Sequence, residues 1–61
     1  MPSVYLIRFL SPEGEEWAEM NLADAERAFG GVAVEWRYME PILDGMEKDG
    51  LIEGQDFEIS A

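Results

Sequence analysis

Carboxylates are the only abundant reactive groups in this sequence: of 61 residues, 14 are Asp or Glu, four are Lys or Arg, and none is His or Cys. Paired carboxylates can exchange protons as general acid and base, but nothing else here completes a catalytic set. Ser3, Ser11 and Ser60 have no histidine to take their proton, and there is no threonine, no cysteine and no glycine-rich phosphate loop. A calcium loop needs acids at alternate positions, then Gly, then a distal Glu. Asp44-Gly45, Asp49-Gly50 and Asp56 do not reproduce that spacing. Without His or Cys the usual zinc ligands are missing too. The residue types therefore point away from an enzyme, a metal site or a bound cofactor, and toward a protein that acts by binding another macromolecule.

The charge is unevenly spread. Ser11 to Glu26 carries Glu13, Glu15, Glu16, Glu19, Asp24 and Glu26 with no base, and Glu40 onward carries seven acids against Lys48. The remainder is slightly positive, because Arg8, Arg27 and Arg37 outweigh Glu35, and the net charge is −10. Such a surface repels nucleic acid and anionic membrane and attracts basic protein surfaces. Glu40, Asp44 and Glu47 fall at i, i+4 and i+7, an acidic stripe along one side of a helix. Glu13/Glu15 and Asp56/Glu58 are two apart, a spacing of roughly 6.6 Å on one strand face. Intervals of this size are on the scale of successive phosphates, the groups that dominate affinity in a DNA- or RNA-binding groove. The simpler reading is that the acids solvate a small domain. For a docking role the contact residues are Glu13, Glu15, Glu16, Glu19, Glu40, Asp44, Glu47 and Asp49, with Trp17 as an aromatic anchor. Trp17 suits core and contact surface about equally, whereas Trp36 and Tyr38 read as core.

The elements that must position these residues form one small domain. Without disulfides or metal, a chain this short holds its fold by its core alone or with a partner. Val4–Leu10 reads as a strand. Ser11-Pro12-Glu13-Gly14 reads as a type I hairpin turn, with Glu15–Met20 as the returning strand and Phe9 opposite Trp17. Asn21 then caps a helix whose Leu22, Ala25, Ala28 and Phe29 face the sheet, and Gly30-Gly31 ends it. Val32, Val34, Trp36 and Tyr38 alternate as a half-buried strand. Pro41 opens a second helix with Ile42, Leu43 and Met46 inward, an Asp44–Lys48 pair outward and Gly45 weakening it. Phe57–Ile59 is the last strand. The expected class is α+β, in the order β-β-α-β-α-β, with an antiparallel or mixed sheet and the helices on one face. No apolar run approaches the ~20 residues of a membrane span, and the first residues lack a basic region followed by a long apolar stretch, so a cytoplasmic location is expected.

In kind the chain resembles the small acidic inhibitors that phages and mobile elements direct against host defences, the anti-CRISPR and anti-restriction proteins. It shares their short length, acidity, α+β layout and lack of a catalytic motif. The resemblance implies a non-catalytic inhibitor of a nucleic-acid-binding complex in a bacterial host, a DNA mimic that occupies a basic groove or blocks a moving part. The acids of the two blocks would be its contacts. The alternative is a structural or assembly subunit that forms a homo-oligomer through Leu6, Leu10, Trp17 and Leu51-Ile52.

Overall fold

Strand β1 (Val4–Phe9) forms where the β-branched and aromatic run expects it, and its register fixes the core. Tyr5 lies opposite Val34, Ile7 opposite Val32 and Ile59, and Phe9 opposite Phe57. Directly opposed residues of antiparallel strands share a face, so these side chains line one side of the sheet. The computed structural model describes residues 4–60, which leaves Ser3 outside. The other elements are α1 (Pro12–Asn21), β2 (Glu26–Ala28), β3 (Gly31–Glu35), α2 (Trp36–Lys48) and β4 (Phe57–Ser60). The strands form one antiparallel sheet in the order β2-β3-β1-β4. Ala18 of α1 and Met39 and Met46 of α2 join Ile7, Phe9, Val32, Val34 and Phe57 in the buried cluster, so both helices cover the same face. Each fully buried side chain of this size contributes about 1.5–3 kcal/mol. The α+β class therefore holds, with four strands and two helices, but the first helix and the second strand exchange places in the chain.

The exchange has a local cause. A type I turn has nearly the backbone angles of a first helical turn, so Ser11-Pro12-Glu13-Gly14 signals both. Here it starts α1 instead of a hairpin. The Ser11 hydroxyl accepts from the Gly14 N–H at 3.0 Å, Pro12 occupies the first turn, and Glu13 and Glu15 face the positive end of the helix dipole. Gly14 serves space: a Cβ there would overlap the Asp56 carbonyl oxygen and stand 3.2 Å from the Phe9 ring. Asn21 is not a helix start. It ends α1, and its side-chain amide donates to the Trp17 carbonyl at 3.0 Å.

Asp56 fastens the segment before β4 to this junction. Its carboxylate accepts from the Ser11 hydroxyl at 2.6 Å and from the Ile52 N–H at 2.9 Å, and its own carbonyl accepts from the Leu10 N–H at 2.8 Å. The residue is only 7% exposed. The Ser11 hydrogen bond, and after it the Ile52 one, hold the carboxyl below its ordinary range against the opposing effect of burial. Ser11 thus has a carboxylate partner that the sequence does not reveal, and both are engaged in holding the junction together.

Two further expectations change. No helix spans residues 22–29. Instead Glu26–Ala28 pairs with β3 through Ala28↔Gly31, and Phe29-Gly30 is the two-residue turn between them. The alternation of Val32 and Val34 stops at Glu35, and α2 begins at Trp36 rather than Pro41. Met39, Ile42, Leu43 and Met46 carry a helical period, which continues backward past Pro41 and takes Trp36 and Tyr38 out of the sheet. Both are exposed, at 59% and 54%. Pro41 sits in the second turn and removes the bond that would reach the carbonyl of Arg37. Among the described residues no helix is long and apolar enough to cross a membrane.

Candidate functional site

Helix α1 turns its small residues inward and its acids outward. Gly14 and Ala18, four apart, are buried against the sheet, which leaves Glu13, Glu15, Glu16 and Glu19 on the outer half of the cylinder. The four expected contacts of the first acidic block therefore share one surface, as helix neighbours at i, i+3 and i+4 with Cβ atoms ~5–6 Å apart, not as alternating strand residues. Glu15 is partly neutralised by Arg27 of β2 at 3.7 Å. Glu13, Glu16 and Glu19 have no cationic partner among the described residues.

Trp17 sits half-buried beside this surface. Its ring lies 6.4 Å from that of Phe9 and packs over Gly45, where a Cβ would stand 3.4 Å away. Its Nε1–H donates to Asp49 Oδ2 at 2.7 Å. Gly45, expected only to weaken α2, is the flat spot on which α1 rests its indole. The hydrogen bond also brings Asp49 to Glu13 and Glu16, around a shallow hollow floored by Trp17, Met20 and Leu51. Trp17 is thus a staple between the helices with one edge in the hollow.

Apart from Asp49, the second acidic block does not join it. Glu40, Asp44 and Glu47 do form a stripe along α2, on the flank away from Gly45 and α1. Arg37 and Lys48 lie next to that stripe, Lys48 bonds Asp44 at 3.1 Å, and Arg37 bonds Glu35 at 3.5 Å. The α2 surface is therefore mixed in sign. Asp56 is buried, and Glu58 is paired across the strands with Arg8 at 3.3 Å, so the expected Asp56/Glu58 array is absent. No three acids among the described residues converge as a metal site.

Sequence reasoning missed two features. Trp36 and Tyr5 line an apolar groove of about 520 Å³ with Met39, Leu43 and Ile59, with Arg37 and Glu40 at its rim. Phe29, expected against the sheet, is 92% exposed at the tip of the β2–β3 hairpin. The signal that marks a two-residue hairpin is a pair such as Asn-Gly or Asp-Gly, which Phe29-Gly30 does not supply, and the groove joins residues more than fifty positions apart. Comparison with protein-family models, curated proteins and solved structures returns no match.

Proposed function

We propose that this chain is a non-catalytic acidic binding protein that lays the outer surface of α1 onto a basic surface of a protein partner. The partner class is a nucleic-acid-binding complex, which the acidic helix inhibits by occupying the groove where phosphates would lie, in the manner of the phage-encoded anti-defence inhibitors it resembles. The observation that carries this reading is the pairing of charge. Each of the four bases is engaged with one acid, at Glu58, Glu15, Glu35 and Asp44. The charge they leave uncompensated includes Glu13, Glu16 and Glu19 along the outer surface of α1, with Asp49 beside Glu13 and Glu16 in the hollow at Trp17. Unpaired rim charge of this kind speeds association and sets its salt dependence more than it sets dissociation.

The test is capture of bacterial proteins on the immobilised chain, with elution by duplex DNA and by salt. A nucleic-acid-binding complex displaced by DNA, and retained at least tenfold less by E13Q/E16Q/E19Q than by the parent, is the expected result. Retention unaffected by DNA and by the triple variant refutes charge-led docking. The parallel variant E40Q/D44N/E47Q, on the mixed-sign α2 surface, is expected to lose little.

A further inference from the structure

The hollow between the two helices does more than display charge, because its floor and its rim ask for different chemistry. It measures about 460 Å³, with Trp17, Met20 and Leu51 as an apolar floor and Glu13, Glu16 and Asp49 around it. Asp49 is held in place by the fold itself. Trp17 Nε1–H donates to its Oδ2 at 2.7 Å, which leaves Oδ1 without a partner among the described residues. Helix formation does not ask for an acid there. Asp49 is the C-cap of α2, at the negative end of that helix's dipole, where a cation is favoured.

The helix ends give a second, independent reason for a cation. α1 finishes at Met20 and Asn21, which also line the hollow, so the negative ends of both dipoles meet there. No basic residue lies in the last turn of α1, and Lys48, in the last turn of α2, is bonded to Asp44 instead. Side chains and backbone thus make the hollow negative together, and no cation of the described chain fills it.

The kind of cation follows from the rest of the lining. Among the described residues no three acids converge as a metal site, and a bare ion would leave the apolar floor in water. A basic side chain uses both parts, since its methylene stem covers apolar surface while its charged head stays at the rim. Arginine fits better than lysine. Its guanidinium carries five donors in a planar fork and serves separated carboxylates, whereas an ammonium is a point charge. We infer that the hollow receives one arginine side chain of the basic partner, its stem on Trp17, Met20 and Leu51 and its guanidinium between Asp49 and the two glutamates. The assignment rests on docking through α1 as proposed above, and it gives that docking a fixed register. Asp49 becomes a specific contact, and Glu19, outside the hollow, a steering charge.

An NMR titration of the isotopically labelled full chain with N-acetyl-arginine methylamide, at ~0.05 M NaCl, tests this through the Trp17 indole N–H signal. The lysine analogue and the uncharged citrulline analogue are the comparisons. The expected result is a saturable shift with arginine in about the millimolar range, at least about threefold weaker binding of lysine, and none of citrulline. Asp49→Asn leaves Trp17 a carbonyl acceptor and removes only the charge. It should weaken arginine at least about tenfold, whereas Glu19→Gln, the same loss of charge outside the hollow, should weaken it less than about threefold. Equal binding of citrulline or lysine, or an Asp49→Asn loss no larger than that of Glu19→Gln, would overturn the arginine site. If E13Q/E16Q/E19Q still loses its bacterial partner in that case, charge-led docking stands without the site. If the parent binds arginine as expected and the triple variant keeps its partner, docking fails and the site stands.

Discussion

Two tight connections in this molecule are built on opposite principles. At the β1–α1 junction every choice serves folding: Ser11 caps the helix, Gly14 admits the Asp56 backbone, and the Asp56 carboxylate is held by two donors. At the β2–β3 hairpin the backbone asks for Asn or Gly and receives Phe29, with its ring in solvent. Residues chosen for stability and residues chosen against it lie at the same end of one small sheet, where β1 finishes and antiparallel β3 begins. A site that disregards folding is where contact with another molecule is to be sought.

The sharpest way to break the contrast is to disturb the junction. Gly14→Ala drives a methyl into the backbone of Asp56 and toward the Phe9 ring, and neither can yield without moving α1. A loss of about 3 kcal/mol is expected, and for a domain this small each kcal/mol lowers Tm by roughly 4–8 °C. Thermal unfolding measures it directly. A loss below about 1 kcal/mol would mean that α1 is not seated as described.

Next in size is Ser11→Ala, which removes the cap and one donor to Asp56 and should cost roughly 1–2 kcal/mol. Asp56 also gives the junction a pH signature. Its folded pKa is lowered, so its contribution is complete above the ordinary carboxyl range and disappears as pH falls through the folded value. The stability difference between parent and Asp56→Asn should therefore be largest near neutrality and shrink below about pH 4. A difference constant from pH 7 to pH 3 would remove the carboxylate from the junction.

The same contrast explains what the sequence made legible. The α+β class, β1, β4, the Val32/Val34 core and the Asp44–Lys48 pair all follow from short-range patterns. The four acids around Trp17, by contrast, fit a strand pattern and share a surface only because their segment is a helix. What failed were segments in which one local pattern fits two structures. Ser11-Pro12-Glu13-Gly14 suits a turn and a helix start, and only Asp56, 45 residues away from Ser11, decides. Trp36 and Tyr38 extend the strand alternation by coincidence, because the inward positions of α2 run through Met39, Leu43 and Met46. Phe29 was misread for a different reason. An aromatic is expected in the core, and pattern alone does not show that function has placed it outside.

At the hairpin the expected sign reverses. Phe29→Gly relieves the positive-φ strain without removing any buried contact, and should stabilise the fold by roughly 0.5–1 kcal/mol. Urea denaturation with unchanged m-value is the appropriate measurement. Destabilisation would mean that the ring supports the fold, and the contrast between the two connections would collapse.

The smallest effect separates the acids from the fold. Glu16 and Glu19 lie three apart on the outer half of α1, with no cation near them among the described residues, and Glu19 is close to the negative end of the helix dipole. Glu19→Gln should therefore stabilise by a few tenths of a kcal/mol at low salt, from relief of repulsion with its i−3 and i−4 neighbours Glu16 and Glu15. The gain should vanish near 1 M NaCl as screening sets in. Glu13, in the first turn, has a favourable dipole contact to lose, so Glu13→Gln should not share the gain. If Glu19→Gln instead destabilises, that acid supports the helix and solvation suffices to explain it. If it stabilises, the helix retains a carboxylate that folding disfavours, as the hairpin retains its phenyl ring, and the acidic surface joins the tip on the side of contact.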